Sequence, residues 1–527
     1  MIRIEGLRLT LDQTVEDLPG IVSKLLRRPV SSFRMELVRK SLDARKKANI
    51  HWLCHADVET QHETSLLTQR YPGQVRVKKT IPYRYEIPEI LGREPDHPPL
   101  IVGSGPCGLF AAYVLATAGL KPVILEQGKP VKDRISDVDD FMRDGKLNPL
   151  SNIQFGEGGA GTFSDGKLYT LISDPRTGFV YRTFVESGAP EEIVYDAKPH
   201  IGTDNLRKVI PKLRDEIINR GGIFRFGAKM TDVRIRDGEV HLILVNDEEE
   251  IPVSRLILAI GHSSRETVRM LHERGMRMEA KPFSMGARIE HKQEWIDGMQ
   301  YGSATGHPGL PTGKYKLAVH LNSGRSVYTF CMCPGGTVVP GATEEGIVTN
   351  GMSLYAQNGE NANSALLVNV MPEDFGSPHP LAGIDFQEQW ERRAFQNSPH
   401  AFHAPVQCVE DFLAGRVTKA LGEVIPTYLP GTHPADLHAF LPDFVSQSLR
   451  EALPLLDRKM KGFAHPKAVL TGIETRSSSP VRIIRDDYAS NIRGIYPAGE
   501  GAGYAGGIVS SAVDGIRIAE AVIESLG

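Results

Sequence analysis

Three glycines, Gly103, Gly105 and Gly108, have the spacing that suits the phosphates of a dinucleotide. Gly103 permits a tight turn, Gly105 lets backbone amides approach a pyrophosphate, and Gly108 lets a helix pack closely on the preceding strand. Glu126 ends a second apolar run, where its carboxylate can accept hydrogen bonds from the hydroxyls of an adenosine ribose. The stretch 99–128 therefore predicts a dinucleotide-binding unit rather than an ordinary tight turn. The other residues of its turn, which we also expect at the cofactor, are Ser104, Pro106 and Cys107.

A second glycine-rich segment, FGEGGAGTFSDGKL at 155–168, is also suited to a cofactor. Its amides and small side chains can wrap a diphosphate or the edge of a flavin, and its lysine can stabilise charge on a reduced isoalloxazine. A flexible loop also favours glycine, but it has no need of the phenylalanine, lysine and leucine found here. The residues expected at the cofactor in this segment are Gly161, Thr162, Ser164 and Lys167.

The last unit, 491–527, repeats the first: a short strand enters the glycine-rich turn PAGEGAGYAGGI, and a helix begins near Gly507. The amides of Gly507 and Ile508 can face the pyrimidine edge of a flavin and favour its anionic reduced form. Glu500 can hydrogen-bond the ribityl or pyrophosphate region. Taken alone, this unit is also compatible with a glycine-capped helix. The residues expected at the cofactor are Gly499, Glu500, Gly506, Gly507 and Ile508.

Three positions between these units also concern the cofactor. Arg134 lies eight residues beyond the acidic strand end, where it could reach a phosphate or pair with a nearby aspartate. A strand-like hairpin follows a long amphipathic helix, and the backbone around Met230 would lie beside the adenine. The next apolar run ends in Ala-x-Gly at Gly261. His262 follows it and is interpreted as a polar residue at a strand end, not as a catalytic one.

The order of these elements predicts an α/β protein. Its main unit is a Rossmann-like cofactor domain with a parallel sheet, formed by 96–280 and 466–527. An α+β cap or substrate domain, 281–465, is inserted between the two parts, and 1–95 form a small N-terminal α+β domain. The proline-rich segment GREPDHPPL, 92–100, is predicted to link that small domain to the next.

The net charge is -3, and 41% of the residues are apolar and 24% charged, as in an ordinary globular protein. This composition does not require nucleic acid or an anionic membrane as a partner. We expect no signal peptide and no membrane span. Nine Lys or Arg residues against two acidic ones at 24–47 could form a face for RNA, although a solvated face is the commoner meaning of such a run. Five cysteines, odd in number and irregularly spaced, predict a reduced, cytoplasmic protein.

The motif CMCPGG contains Cys331 and Cys333. A metal would need two more soft ligands, and the sequence has no second cysteine pair, so no metal site is predicted. A redox-active thiol beside a flavin remains open, but a buried structural pair on a strand is the favoured interpretation.

Five motifs together resemble the uncharacterised FAD-dependent dehydrogenases of bacteria and plastids, which belong to the flavoproteins with a glutathione-reductase-like FAD domain. These motifs are GSGPCG with Glu126, GEGGAGTFSDGKL, CMCPGG, GIETRSSSPVRI and PAGEGAGYAGGI. The resemblance implies FAD as the cofactor. Glu500 departs from the wider group, where aspartate is usual, but it keeps an acceptor. The resemblance implies no particular substrate.

The expected function is therefore an FAD-dependent oxidoreductase that moves a hydride between the flavin and a small organic substrate under the cap. Glu290 and His291 are candidate acid–base groups, and Arg476 and Lys167 candidate anion-binding groups. Only one GxGxxG motif is present, so a reductase with a second nucleotide-binding unit is not expected. NAD(P)H could still bind transiently as a reductant in the cleft of the cap. Two alternatives stay open: a flavin-dependent RNA-modifying protein that uses the basic N-terminal segment, and a protein in which FAD is structural and no turnover occurs.

Overall fold

The computed structural model describes residues 1–82, 84–90 and 95–526. The linker predicted at 92–100 lies partly outside these residues, at 92–94. In chain order the strands are β1 (Ile2–Leu9), β2 (Phe33–Asp43), β3 (His51–Thr60), β4 (Arg76–Lys79), β5 (Leu100–Val102), β6 (Val123–Glu126), β7 (Ile223–Phe226), β8 (Met230–Arg236), β9 (Glu239–Val245), β10 (Glu249–Pro252), β11 (Leu256–Leu258), β12 (Met278–Ala280), β13 (Phe283–Lys292), β14 (Ala318–His320), β15 (Ser326–Cys333), β16 (Thr337–Pro340), β17 (Thr349–Met352), β18 (Asn361–Val370), β19 (Ala404–Cys408), β20 (Thr432–Pro434), β21 (Val469–Glu474), β22 (Val481–Ile483) and β23 (Ile495–Pro497). The α-helices are α1 (Leu18–Leu26), α2 (Glu63–Leu67), α3 (Pro106–Thr117), α4 (Val131–Asp144), α5 (Arg176–Glu186), α6 (Thr203–Asn219), α7 (Arg265–Glu273), α8 (Gln293–Tyr301), α9 (Ala382–Gln396), α10 (Val409–Ala414), α11 (Asp443–Lys459) and α12 (Ile508–Glu524).

The N-terminal segment forms a four-stranded antiparallel sheet in the order β2-β3-β1-β4, with α1 packed against it. Ile2, Ile4, Leu7 and Leu9 of β1 are buried, and a bulge between Glu5 and Leu7 shifts the period-2 pattern by one residue. This sheet docks on the rest of the chain. The amide of Lys40 donates to the carbonyl oxygen of Tyr195 at 2.7 Å, and Nε1 of Trp52 donates to that of Gly309 at 3.2 Å.

The central sheet is fully parallel, in the order β23-β11-β5-β6-β7. Strands β5, β11 and β23 are buried at every residue, which explains why they appear in the sequence as continuous apolar runs. Helices α3 and α12 cross on one face, where a Cβ added to Gly515 would lie 2.1 Å from the carbonyl oxygen of Cys107. Strands β5 and β23, far apart in the chain, thus flank β11 in one sheet.

An antiparallel sheet of β8, β9 and β10 is inserted between β7 and β11. The sequence predicts a hairpin at this place. The parallel sheet and the helices around it confirm the predicted α/β class.

A mixed seven-stranded sheet in the order β14-β15-β18-β13-β21-β19-β20 forms the second large layer. Its third-to-sixth strands are the best buried. Nine of the ten residues of β13 are buried because both faces of this central strand are covered. The sheet includes β21, which follows residue 465, so its strands extend beyond the segment 281–465. Within the described residues, no helix has both the length and the hydropathy that a membrane crossing requires.

Candidate cofactor and active site

A cavity of about 540 Å³ lies between the carboxyl ends of the parallel strands and the seven-stranded sheet. Its volume is within the range of about 300–1,000 Å³ that is usual for small-molecule and cofactor sites. The residues that follow β5, β6, β11 and β23 line one side. Residues of β15 and β21 line the other. Ligands of open α/β sheets bind at this edge, outside the carboxyl ends of the strands.

The first glycine turn lies at the cavity, between β5 and α3. The backbone of Gly103 has φ +102°, a conformation that glycine adopts without strain. A Cβ at Gly108 would lie only 1.9 Å from the carbonyl oxygen of Gly103, so the helix can approach the strand only because this residue is glycine. Gly108 itself does not line the cavity, which agrees with a packing role.

Glu126 lines the cavity and is 5% exposed, but its carboxylate already holds the surrounding loops together. One oxygen accepts from the amide and hydroxyl of Ser104 at 3.0 and 2.7 Å. The other accepts from the amides of Gly128 and Gly156 at 2.9 and 3.1 Å. These four bonds use the acceptor positions of a carboxylate. Glu126 therefore joins the first glycine turn to the second glycine-rich segment, and its contact with a ribose stays a prediction.

Arg134 is not at the cavity. Its side chain is fully buried, and Nε, Nη1 and Nη2 donate to the carbonyl oxygens of Asn152, Glu157 and Ile153 at 2.7–2.9 Å. Its guanidinium also lies 4.5 Å from the centre of the Phe163 ring. Burial lowers the pKa of Arg134 to about 9, against the opposing charges of neighbouring glutamates. Arg134 thus binds carbonyls of the loop 152–157, which leads into the second glycine-rich segment, and does not reach the cavity.

The C-terminal turn reaches the same cavity from the opposite end of the chain, and Gly507 caps the 17-residue helix α12. Nδ1 of His262 lies 3.3 Å from a carboxylate oxygen of Glu500. Nε2 of His262 is buried without a hydrogen-bond partner in the described part of the chain. His262, which the sequence does not single out as catalytic, therefore offers an unused polar atom at the cavity.

Most of the predicted cofactor residues come together at this cavity. Those that line it are Gly103, Ser104, Gly105, Pro106, Cys107, Glu126, Gly161, Ser164, Lys167, Met230, Gly261, Glu500, Gly506, Gly507 and Ile508. Those that do not line it are Gly108, Arg134, Thr162 and Gly499. Gly499 instead donates its amide to Asp514 at 2.7 Å, and the Thr162 hydroxyl lies 3.4 Å from the carbonyl oxygen of Glu157.

Two of the four candidate catalytic residues, Glu290 and His291, do not line the cavity. Both lie on the covered central strand β13 and are fully buried. Glu290 accepts from the Thr427 hydroxyl at 2.6 Å, and Nε2 of His291 lies 2.7 Å from the carbonyl oxygen of Phe463. Burial raises the pKa of Glu290 and lowers that of His291 to about 4. Neither side chain is placed to exchange protons with a substrate in this cavity.

The other two candidates, Lys167 and Arg476, line the cavity in ion pairs. Lys167 Nζ lies 2.7 Å from Asp165, whose charge raises the pKa of the lysine although burial opposes it. Arg476 Nη2 lies 2.7 Å from Glu391. Burial, together with the charge of Arg265, lowers the pKa of Arg476.

The motif GIETRSSSPVRI contains Glu474, a cavity residue that sequence reasoning did not select. Glu474 is 4% exposed and accepts from Arg288 Nη1 at 3.0 and 3.2 Å. Burial raises its pKa to about 7, although the charge of Arg288 opposes the shift. The signal available in the sequence was a single carboxyl at the end of the apolar strand VLTGIE.

Glycines and helix N-termini make the wall of the cavity suitable for a dinucleotide. A Cβ added to Gly261 or Gly506 would meet no atom within 4 Å, so both glycines leave space on the cavity side. The N-termini of α3 and α12 lie at the same cavity. The first amides of a helix have no partner within it, and their partial positive charge favours an anion such as a diphosphate.

Two solved flavoprotein structures resemble parts of this fold. The flavin-dependent brominase Bmp2 is 11% identical, with a TM-score of 0.37, 81% of this chain and 79% of that chain covered. The glycerol-3-phosphate dehydrogenase from Bacillus halodurans complexed with FAD is 12% identical, with a TM-score of 0.34, 81% of this chain and 64% of that chain covered. At these values neither likeness bears on the function.

Sequence comparisons are more informative. Residues 282–477 match the family described as "FAD-dependent protein, C-terminal domain-like", and residues 1–59 match a domain of unknown function. An uncharacterized protein of Clostridium beijerinckii is 44% identical over 531 residues, which cover 99% of this chain and 98% of the relative. The chain therefore belongs to the same protein family as this Clostridium beijerinckii protein, with a region, 282–477, that matches the C-terminal domain of FAD-dependent proteins.

Proposed function

We propose that the chain is an FAD-dependent oxidoreductase with a glutathione-reductase-like FAD domain, acting on a small organic substrate in the cavity. The observation that carries this proposal is the meeting of two distant glycine turns, 103–108 and 506–508, at one cavity. The match of 282–477 to FAD-dependent proteins supports the identity of the cofactor.

Each part of the cavity would contact a different part of FAD. The amides at the N-terminus of α3, after Gly105, would bind the diphosphate. Met230 would lie beside the adenine, and the amides of Gly507 and Ile508 would bind the pyrimidine edge of the ring. FAD, when bound, supplies a reversible two-electron acceptor for a hydride.

Glu474 is the proton-transfer group that we propose in place of Glu290 and His291. A pKa of about 7 leaves the carboxyl poised between its two states near neutrality, as an acid–base catalyst requires. Arg288 donates to both carboxylate oxygens of Glu474 and so holds this side chain in place at the cavity, which Glu474 lines. Glu474 would therefore accept a proton from an oxidised substrate group or return it in the reverse direction.

The cationic side chains of the cavity favour an anionic substrate. Lys198, Lys314 and Lys316 all line it, and among the described residues none of them has a carboxylate within ion-pair distance. Burial lowers the pKa of Lys314, and Asp165 only partly opposes that shift. A carboxylate-bearing substrate would add a negative charge beside these ammonium groups, which have no ion-pair partner among the described residues.

The test is a two-step reaction of the FAD-loaded protein without oxygen. The flavin is first reduced with NADPH, NADH or dithionite, and then mixed with matched carboxylate-bearing and neutral acceptors. We expect faster reoxidation by the carboxylate-bearing acceptors. Lys314→Met should raise the acceptor concentration for half-saturation, whereas Lys132→Met, an exposed lysine on α4, should not. A flavin that never changes redox state would instead support a purely structural cofactor.

A further inference from the structure

The CMCPGG motif brings two cysteines to the edge of the cavity. Cys331 lines the cavity and is half-buried, whereas Cys333 is buried behind it. They lie at the end of β15, where the pairing with β18 is interrupted by a bulge between Phe330 and Cys333. Cys331 has φ +43°, a left-handed conformation that side-chain-bearing residues seldom adopt and that is often found at functional sites. The bulge leaves the two sulfurs within 4.8 Å of each other.

Cationic groups from two distant segments lie beside this thiol pair. Lys167 Nζ lies 4.0 Å from Cys331 Sγ and also donates to the carbonyl oxygen of Met332. Arg288 Nη2 donates to the carbonyl oxygen of Cys331 at 2.7 Å and lies 3.6 Å from Cys333 Sγ. Positive charge at this distance stabilises a thiolate over a thiol.

The two sulfurs differ in protonation. A hydrogen bond from Cys333, helped by the charge of Lys167, lowers the pKa of Cys331 to about 6, although burial and Asp165 oppose the shift. Burial and the neighbouring Cys331 thiolate raise the pKa of Cys333 well above its usual value. At neutral pH the pair therefore consists of one reachable thiolate and one shielded thiol.

The alternative function of these residues is metal binding, because Asp165 and the two sulfurs could supply three ligands. The ammonium of Lys167 already lies 2.7 Å from Asp165, on the side that faces Cys331. A metal would have to displace this cation, and the guanidinium of Arg288 stays close to the second sulfur. Cations of the chain thus already lie beside the three atoms that a metal would bind.

We propose that Cys331 and Cys333 form a redox-active thiol pair that exchanges two electrons with the flavin in the adjoining cavity. This inference rests on the proposed function, since the cavity must hold FAD. In the oxidising direction one S–S bond forms between the two sulfurs, and the S–H bond of Cys333 breaks. The electron pair and that proton pass to the oxidised flavin, so one negative charge is present before and after the step. The reverse direction reopens the S–S bond and returns a thiolate at Cys331.

The first measurement tests whether Cys331 is a thiolate that a reagent in solution can reach. The FAD-loaded protein is photoreduced without oxygen, so that both thiols are free, and labelled with iodoacetamide across pH. Peptide mass analysis should show a fast-reacting Cys331 with a midpoint of about 6. Cys331→Ser should remove this fast phase. Cys408→Ser, a buried cysteine of β19 that does not line the cavity, should leave it unchanged. A Cys331 that reacts no faster than an ordinary buried thiol would overturn the assignment.

The second measurement follows the thiols as the flavin changes redox state. The FAD-loaded protein is photoreduced without oxygen, or left oxidised, and then denatured in excess alkylating agent. We expect Cys331 and Cys333 to escape labelling and to share a peptide lighter by two hydrogens when the flavin is oxidised, and to be labelled when it is reduced. Labelling that is independent of the flavin would refute the proposal, and so would a stoichiometric metal that protects both thiols.

The two proposals can fail separately. Flavin content is measured on the same samples, so a protein that takes up no FAD contradicts the proposed function directly. Cys333→Ser should keep its flavin but lose the flavin-dependent change in labelling at Cys331. A flavin-loaded wild type whose thiols never respond would refute only the thiol pair.

Discussion

Replacing Glu391 by glutamine tests the buried charge cluster that joins α7 to α9 beside the cavity. Arg265 donates from Nη1 and Nη2 to the two oxygens of Glu391, at 2.8 Å each. Arg476 donates to the same oxygens at 2.7 and 3.1 Å, and the hydroxyl of Thr475 donates at 2.6 Å. Glu391 thus pairs with two buried guanidinium groups, of which Arg476 lines the cavity and Arg265 also lies 3.8 Å from Glu388.

The expected cost follows from this geometry. Removing one member of a buried ion pair costs about 3–5 kcal/mol, because the remaining charge stays buried without compensation. Glutamine keeps the shape of Glu391 but turns an N–H donor towards a guanidinium, so we expect a loss in this range. Glu388, on the same helix, is the matched control. It pairs at 3.0 Å with Arg269, which is 34% exposed, and lies 3.8 Å from Arg265, which keeps its pair with Glu391 in this variant. Glu388→Gln should therefore cost about 0–1 kcal/mol.

The same cluster predicts a pH dependence. Burial would raise the pKa of Glu391, but the charges of Arg265 and Arg476 hold it well below its ordinary value. A carboxyl with a lower pKa in the folded state stabilises the fold above its unfolded pKa of about 4.3, and this contribution declines as the pH falls further. On acidification, the free energy of unfolding should therefore fall more steeply for the wild type than for Glu391→Gln.

Equilibrium urea unfolding, followed by far-ultraviolet circular dichroism, compares the wild type with both variants. At neutral pH we expect the midpoint of Glu391→Gln to lie far below that of Glu388→Gln, with similar slopes. Equal midpoints and slopes for the two variants would refute the reasoning that Glu391 carries the buried charge balance.

The remaining expectations concern the first glycine turn, the cavity carboxyl and the N-terminal sheet. Gly108→Ala places a Cβ 1.9 Å from the carbonyl oxygen of Gly103 and should lose its flavin on gel filtration. Gly20→Ala, with no atom within 4 Å of the new Cβ, should keep it. Glu474→Gln should abolish a pH-dependent shift of the flavin absorbance that we expect in the wild type with a midpoint of about 7; an unchanged shift would assign it to another group. For the basic segment 24–47 we expect no binding of RNA oligonucleotides, and retention that falls steeply with salt would favour the RNA-modifying alternative.

The cofactor units could be predicted from the sequence because their determinants are local. The turn at Gly103, the helix that follows it and the acid at Glu126 lie within one continuous stretch, and the structure shows them as β5, α3 and β6. That this stretch meets the turn at Gly507 could also be predicted, because the carboxyl ends of parallel strands lie at the same edge of a sheet.

The side chains that were misplaced depend on contacts between distant segments. Arg134 follows an acidic strand end at a suitable distance, but its partners are carbonyls of a loop whose path the local sequence does not set. Glu290 and His291 are neighbours on one strand, so their side chains point to opposite faces of the sheet, and either face could have lined a cleft. Only the order of the seven strands shows that β13 is covered on both faces. Glu474 was missed because its raised pKa arises from burial, which only the assembled sheet provides.

The most direct test of the central claim is the cofactor content of the purified protein. The protein is reconstituted with FAD and passed through a desalting column, and the ligand released by denaturation is identified by mass and quantified by absorbance. We predict one FAD per chain in the wild type and little or none in Gly108→Ala. A colourless wild type that takes up no flavin under these conditions would contradict the account.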